Sequence, residues 1–260
     1  MRIVVCVKHV PDVQSERGFV DGRVDRSEGT LNELDENAVE AALRLVEDAG
    51  GEVVVLTVGP DDADDAVRRG LQMGAHRAVR VTDDAIAGSD VVGTAVVLAA
   101  AVRRLGAQAP VDLVLTGMAA LDGLMSVVPS LLAAQLGLPQ ATLAAEVTVG
   151  DGVVRVRREL DHVTEVLEAP LPAVVGVTDQ ANDPRYPSFA GIMAARKAAV
   201  DVWSLADLGV DPAAVGEAGA RTRVLEATPR PAREDRVLLT DTGDAGVRLA
   251  AFLEENGLLA

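Results

Sequence analysis

The sequence predicts an α/β protein in which a mostly parallel β-sheet is covered by helices on both faces. Short apolar runs rich in valine alternate with longer amphipathic segments through about the first two-thirds of the 260 residues. This alternation is typical of parallel strands joined by crossover helices. Hydrophobic residues make up 49% of the sequence and aromatic residues only 2%. Valine, alanine, leucine and isoleucine must therefore fill the core, as in buried parallel strands.

The first elements follow from apolar runs and their boundary residues. Residues 3–7 form a continuous apolar run and predict a buried strand, whereas residues 11–29 are polar and predict a loop. A helix is expected after Asn32, a favourable N-cap with Asp35 three positions later, and it ends at the two glycines at 50 and 51. Similar patterns predict strands at residues 53–58, 78–81 and 112–116, with helices beginning near residues 61, 91 and 126.

The pattern changes near residue 143. Residues 146–149, 153–157 and 164–167 alternate apolar and polar side chains, and Asp151-Gly152 suits a tight hairpin turn. We therefore expect a small antiparallel sheet over about residues 143–168, followed by a last core strand at residues 173–177. Residues 211–235 predict an extended arm and residues 246–258 a closing amphipathic helix. This divides the chain into an α/β domain, residues 1–210, and a C-terminal arm and helix, residues 211–260.

Composition argues against several classes of function. The net charge of −16 disfavours nucleic acid, because phosphate binding requires lysine and arginine, and it disfavours an anionic membrane surface. No stretch is expected to be long enough and apolar enough to span a bilayer. The first apolar run reaches Lys8 too soon for a signal peptide, which predicts a cytoplasmic protein. The single cysteine, Cys6, excludes an internal disulfide, and no cluster of cysteine and histidine predicts a metal site.

A ligand site is expected where the strands of a parallel sheet end. Such sites lie at the carboxyl ends of the strands, near the point where the strand order reverses. A helix beginning near Ser126 offers free N–H groups for an anion, and Asn32 is placed to face the same pocket. The alternative is that these are ordinary strand ends and caps. Lys8 is interpreted either as a residue that binds a phosphate or a partner, or as an exposed lysine at the end of a strand. Cys6 is interpreted as a small core residue.

Several blocks of sequence together resemble the beta subunit of electron transfer flavoproteins. They occur in order from residue 1 to about residue 210: VCVKHVPD, LNELDENAVEAALRL, VGP, LQMGAHRAVRV, VDLVLTGMAALDG, LPAVVGVTDQANDPRYPSFAGIMAARK and WSLADLGVD. The resemblance implies a Rossmann-like core of the adenine nucleotide hydrolase type and an electron carrier subunit that is not an enzyme by itself. It also implies an alpha subunit holding most of the FAD, a structural AMP in this chain, electron donors such as acyl-CoA dehydrogenases, and a membrane quinone oxidoreductase as acceptor.

The resemblance also assigns a nucleotide pocket by position. Relatives carry a run of aspartates and then polar residues after the fourth strand, whereas this chain reads LDGLMSVVPS, so most of the polar side chains are replaced. The implied AMP-binding residues are Cys6, Asn32, Asp35, Val58, Gly117, Asp122, Gly123, Ser126, Val127 and Val128.

The family's loop for recognising partner dehydrogenases corresponds to about residues 178–198. Phe189 falls where relatives place an apolar anchor; the alternative is a buried side chain that pins the loop down. Glu159 matches a family glutamate that faces the flavin domain; the alternative is a solvated carboxylate on a strand. The implied partner-binding residues are Pro184, Arg185, Tyr186, Phe189, Ile192, Met193, Lys197 and Glu159.

Two other classes of function compete with the electron carrier. One is an AMP- or ATP-binding stress-type protein of the same fold, which lacks the PRYPSF segment and usually carries a glycine-rich phosphate loop. The other is a nucleotide-dependent ligase or transferase, which requires a catalytic set of lysine, histidine and serine that the sequence does not display.

Overall fold

A computed structural model of the chain describes residues 1–15, 18–20, 22–228, 231, 237–238 and 240–259. The strands are β1 (Arg2–Cys6), β2 (His9–Pro11), β3 (Phe19–Val20), β4 (Arg23–Val24), β5 (Gly29–Leu31), β6 (Glu52–Val58), β7 (Arg77–Val81), β8 (Leu113–Gly117), β9 (Gln140–Ala144), β10 (Glu146–Gly150), β11 (Val153–Leu160), β12 (Val163–Pro170), β13 (Ala173–Val177) and β14 (Val200–Trp203). The helices are α1 (Glu33–Ala49), α2 (Asp64–Met73), α3 (Val91–Gln108), α4 (Val128–Leu136), α5 (Phe189–Lys197), α6 (Leu205–Leu208), α7 (Gly216–Gly219) and α8 (Ala245–Glu255).

The central sheet has seven strands in the order β14-β7-β6-β1-β8-β13-β9, and every neighbouring pair is parallel. This confirms the predicted α/β class. From β1 the chain steps to β6 and β7 on one side and then to β8 and β13 on the other. The order therefore reverses between β1 and β8, and the carboxyl ends of these two strands border the crevice in which such sheets bind ligands.

Side chains of β1 alternate between two helix-covered faces. Ile3 and Val5 pack in one apolar cluster with α1, α2 and Ala195 of α5. Val4 and Cys6 pack in a second cluster with α3, α4 and Leu205 of α6. Because both faces are buried, the strands are apolar at successive positions rather than at alternate ones. This explains why the valine runs predicted the strands well.

Helix α3 is long and apolar enough, by length and composition, to cross a membrane. The expectation that no stretch reaches this threshold is therefore wrong. In the structure α3 is a core helix, since Leu98, Val102 and Leu105 pack against the second face of the sheet.

The small antiparallel sheet is confirmed, with the order β10-β11-β12. Its first hairpin turns at Asp151 and Gly152, whose φ angles are 53° and 76°. Two successive residues with positive φ match the right-handed twist of the flanking strands, which is why an Asp-Gly pair predicts this turn.

Three segments differ from their predictions. The segment 11–29 was expected to be a loop, but it contains short ladders pairing β2 with β5 and β3 with β4; its residues 16, 17 and 21 lie outside the described residues. Helix α4 begins at Val128 rather than at Ser126, because Ser126 has a left-handed φ of 56°. Residues 211–222 do not form an extended arm, since they contain a 3₁₀ helix (Pro212–Ala214) and α7. They pack on the domain, because Val215 is fully buried and Asp90 accepts hydrogen bonds from the N–H groups of residues 221 and 222.

The chain divides into two compact units, Met1–Glu226 and Ala227–Ala260. The second unit contains α8, which confirms the predicted closing helix. Several of its apolar side chains are exposed, among them Val247, Leu249 and Leu258. Much of the predicted arm, residues 229, 230 and 232–235, lies outside the described residues, and the functional boundary at residue 210 stays a prediction.

Candidate functional site

The first candidate site is the switch-point crevice, which we define as the space outside the carboxyl ends of β1 and β8 together with residues 118–127. The two strands are in register, with Cys6 opposite Thr116. Lys8 and Gly117 therefore lie at the same edge of the sheet. The N-terminus of α1 reaches this edge too, because the chain returns from β5 to Asn32, whose N–H donates to the carbonyl of Lys8 at 2.9 Å.

Asp35 joins the two strand ends. One carboxyl oxygen accepts from the N–H of Lys8 at 2.8 Å, and the other accepts from the N–H of Gly117 at 3.2 Å. The side chain is buried, and this burial raises the pKa of Asp35 to about 7, although the hydrogen bonds it accepts oppose the shift. Asp35 thus fixes the spacing of β1 and β8 where the strand order reverses.

Gly117 is required by this close packing. A Cβ at this position would lie 2.5 Å from Oδ1 of Asp35 and 2.6 Å from the carbonyl oxygen of Leu34. Only glycine lets the first turn of α1 approach the end of β8 so closely.

Asn32 precedes α1 as predicted, but its side chain does not cap the helix. Its Nδ2 donates to the carbonyl of Ala119 at 2.9 Å, and its Oδ1 accepts from the N–H of Leu121 at 3.0 Å. The prediction of a side-chain cap is wrong because a tertiary partner, the loop after β8, satisfies both ends of the amide. Asn32 therefore ties that loop to α1.

Asp122 has a buried carboxylate in the crevice, with a side chain that is 1% exposed. Its carboxylate accepts from Nζ of Lys8 at 2.8 Å and from Nε of Arg26 at 3.0 Å. Burial opposes ionisation, but the two cations hold the pKa of Asp122 below its ordinary value. The sequence left the role of Lys8 open and gave no sign of Arg26, which lies in the segment predicted to be a polar loop.

The loop before α4 exposes backbone to the crevice. Gly123 and Ser126 are exposed, and Leu124 and Ser126 both have left-handed φ angles, 49° and 56°. A left-handed residue other than glycine costs roughly 1–2 kcal/mol, and alternating backbone conformations of this kind form concave anion sites. Within the described residues, the N–H groups of 125–127 donate to no other group, so they are available to a ligand.

The remaining predicted pocket residues border the crevice with apolar surface. Val58 ends β6, next to β1, and Val127 and Val128 are half-buried at the start of α4. Cys6 is buried, and burial raises the pKa of its thiol to about 12. This agrees with its interpretation as a core residue, because a neutral thiol is neither a nucleophile nor a metal ligand.

The second candidate site is the docking segment, residues 178–198. It consists of a short 3₁₀ helix (Asp179–Ala181), a coil that ends at Ser188, and α5, and is therefore not a loop throughout. Oγ of Ser188 caps α5 by accepting from the N–H of Gly191 at 3.0 Å. A Cβ on Gly191 would lie 2.6 Å from the carbonyl oxygen of Gln72, which shows how closely α5 packs on α2. This contact gives the segment a rigid base.

The docking segment exposes large aromatic and apolar side chains. Tyr186 is 93% exposed and Phe189 is 80% exposed, and Met193 follows Phe189 by one helical turn on the same side. The alternative that Phe189 is a buried side chain pinning the loop is therefore wrong. Pro184 and Ile192 are half-buried, and Lys197 is exposed at the end of α5. Arg185 points the other way, toward α1, where it pairs with Glu40 and Glu47.

Glu159 lies on β11, exposed and ion-paired with Arg157. The neighbouring pairs Arg155–Glu168 and Arg158–Glu165 cross between β11 and β12. Exposed pairs of this kind contribute little to stability, typically below about 1 kcal/mol. Both interpretations of Glu159, a residue facing a partner and a solvated carboxylate, therefore stay open.

The stability of the protein is expected to fall as the pH rises from about 4 to about 7, through Asp35. The folded pKa is about 7, whereas an unfolded aspartate titrates near about 3.9. Between these values the folded state binds more protons than the unfolded state, so the free energy of unfolding decreases with pH. Chemical denaturation at several pH values checks this against Asp35→Asn, which does not titrate. We expect the difference between the two proteins to change by more than about 1 kcal/mol; a difference independent of pH would contradict the assignment.

Comparison with known proteins places these features in a family. Residues 22–208 match the family described as electron transfer flavoprotein domain. The chain is 44% identical to the electron transfer flavoprotein subunit beta of Mycobacterium leprae, over 96% of this chain and 97% of the relative. It is also 35% identical to the caffeyl-CoA reductase-Etf complex subunit CarD of Acetobacterium woodii, over 93% of each chain. Protein FixA of Azorhizobium caulinodans is 37% identical, over 98% of this chain and 93% of the relative. The chain therefore belongs to the electron transfer flavoprotein beta-subunit family, a family of electron transfer proteins.

Proposed function

We propose that this chain is one half of a heterodimeric electron carrier, whose alpha subunit holds most of the FAD. The complex takes electrons from acyl-CoA dehydrogenases and related enzymes and delivers them to a membrane quinone oxidoreductase. The observation that carries the proposal is the docking segment, where exposed Tyr186 and Phe189 are held on a base packed against α2. Exposed aromatic residues on a rigid support are typical anchors at protein interfaces.

The C-terminal unit supports an obligatory partner. Val247, Leu249, Phe252 and Leu258 are exposed there, and several large apolar side chains exposed on one short unit favour a binding site for another protein. We propose that the alpha subunit binds these exposed side chains and buries them. In this scheme the present chain holds the partner and presents its docking segment, and the flavin supplies the redox chemistry.

Co-expression with the alpha subunit tests the assembly. We expect a yellow heterodimer that contains FAD and accepts electrons from an acyl-CoA dehydrogenase, whereas this chain alone is colourless and inactive. A chain that binds stoichiometric flavin or transfers electrons by itself would contradict the proposal.

The switch-point crevice fits an adenine nucleotide, for which we propose AMP. Gly117 lets the first turn of α1 close the crevice against the end of β8. The free N–H groups of 125–127 suit a phosphate, and Lys8 and Arg26 carry positive charge at the same edge. Because LDGLMSVVPS retains few polar side chains, the backbone has the larger part in this recognition. The nucleotide is structural and takes no part in electron transfer.

Denaturing the purified heterodimer is expected to release about one AMP and one FAD per complex. Lys8→Gln is expected to lower the AMP content, because it removes a cation from the crevice. Arg23→Gln serves as the control, since Arg23 pairs with Glu217 and is not a crevice residue. Chromatography of the released nucleotides gives the result. Two FAD and no AMP would indicate that a second flavin takes the site, and FAD alone in a single copy would exclude a bound nucleotide.

A further inference from the structure

Besides Asp35, helix α1 carries two buried polar side chains that an ordinary core helix does not need. Asn37 and Glu40 are both buried, beside apolar neighbours such as Ala38 and Ala41. The carboxylate of Glu40 is only 3% exposed. A buried carboxylate is unfavourable unless cations and hydrogen bonds compensate for its lost hydration. The residues that pair with Glu40 therefore indicate its structural role.

Arg185 is the main partner of Glu40, across 145 residues of sequence. Its Nε and its backbone N–H both donate to Oε2 of Glu40, at 2.7 and 3.2 Å. The other end of the guanidinium reaches the carboxylate of Glu47, two helical turns further along α1. Its Nη1 donates to Oε1 of Glu47 at 2.5 Å and its Nη2 donates to Oε2 at 3.0 Å. Arg44 holds the second oxygen of Glu40 at 2.6 Å. Burial opposes ionisation, yet these cations hold the pKa of Glu40 below its ordinary value.

A second contact lies beside the first. Nδ2 of Asn37 donates to the carbonyl of Asn182 at 2.8 Å, and Nδ2 of Asn182 donates to the carbonyl of Asn37 at 3.0 Å. The chain is therefore fixed to α1 at residues 182 and 185, immediately before the exposed Tyr186 and Phe189. Both contacts use side chains that are buried on α1, so they hold the backbone and leave the apolar face free.

We propose that Arg185 is a positioning residue. It clamps residues 182–188 onto α1 and thereby holds Tyr186 and Phe189 in the orientation that a dehydrogenase meets, without contacting the dehydrogenase itself. This inference rests on the proposed docking function. Its physical basis is preorganisation, because a segment that is already ordered loses less conformational freedom on binding.

The test compares Arg185→Met with Arg69→Met in the complete heterodimer. Arg69 of α2 makes an ion pair with Glu36 of α1, and both arginine side chains are 33% exposed, so the control removes an arginine of equal exposure whose pair links α2 to α1 and not to the docking segment. In Arg185→Met, Arg44 still compensates Glu40, and the fold is retained. We expect hydrogen exchange of the backbone amide at position 185, whose N–H donates to Oε2 of Glu40, to accelerate about tenfold or more. We also expect the KM for the dehydrogenase to rise about fivefold, with kcat unchanged.

Arg69→Met is expected to change neither quantity, and Arg185→Lys is expected to restore part of the loss, because lysine reaches one carboxylate but not both. Unchanged exchange in Arg185→Met would overturn the clamp. A raised KM with unchanged exchange would also overturn it, since Arg185 would then contact the dehydrogenase directly. Failure of the proposed docking function gives a different result, because Phe189→Ala would then leave the KM for the dehydrogenase unchanged. The exchange measurement would still decide whether Arg185 orders the segment.

Discussion

Replacing Phe189 with alanine is expected to raise the KM for the dehydrogenase at least about tenfold and to leave the melting temperature of the heterodimer unchanged. Phe189 is 80% exposed at the first position of α5, so truncation creates no cavity in the core. An aromatic anchor at the centre of an interface commonly contributes about 2 kcal/mol or more. Since about 1.4 kcal/mol corresponds to a factor of ten in affinity, the loss appears in the KM for the dehydrogenase.

The measurement combines steady-state electron transfer with thermal unfolding of the same preparation. Phe19→Ala is the matched control, because Phe19 is an exposed aromatic, 53% accessible, that lies outside the docking segment. The control is expected to leave KM unchanged. A Phe189→Ala protein that melts lower but transfers electrons normally would mean that the side chain stabilises the fold and does not dock.

The strands that are buried on both faces were predictable from sequence, whereas the edge strands were not. Residues 173–177 were predicted as a strand, and β13 has those bounds. It lies between β8 and β9, so every side chain meets apolar neighbours and the run is uninterrupted. Strands β9 and β14 were missed because they are the edges of the sheet. Their outer positions face solvent, and the sequences QATLA and VDVW therefore lack a continuous apolar run.

The location of the crevice was also predictable, because the carboxyl ends of parallel strands meet at one edge. The ion pairs that shape it were not. Arg26 reaches Asp122 across 96 residues of sequence, and Arg185 reaches Glu40 across 145; no local pattern records such a pairing. Asn32 shows the same limit, since its sequence position predicted a helix cap while its side chain binds the loop after β8. Tertiary partners outweighed the local preference in each case.

Gly117→Ala is expected to destabilise the protein by about 3 kcal/mol and to deplete the bound nucleotide. The new methyl group would meet Oδ1 of Asp35 at 2.5 Å and the backbone of Leu34 at 2.6 Å, so a side-chain rotation alone cannot relieve the contact. Either α1 or the end of β8 must move, and overpacking that shifts backbone typically costs about 1–3 kcal/mol. The same movement breaks the hydrogen bond from Gly117 to Asp35, whose loss leaves a buried donor and acceptor unpaired at a further cost of about 1–3 kcal/mol.

Denaturant unfolding and nucleotide release, measured on the same heterodimer, test this expectation. Gly106→Ala is the control, because a Cβ on Gly106 of α3 meets nothing within 4 Å, and alanine in a helix is more favourable than glycine by up to about 1 kcal/mol. The control is therefore expected to be as stable as the wild type or slightly more stable, with full nucleotide content. A Gly117→Ala protein with wild-type stability and nucleotide content would show that the ends of β1, β8 and α1 can separate freely. Asp35 would then not fix the spacing on which the proposed nucleotide site depends.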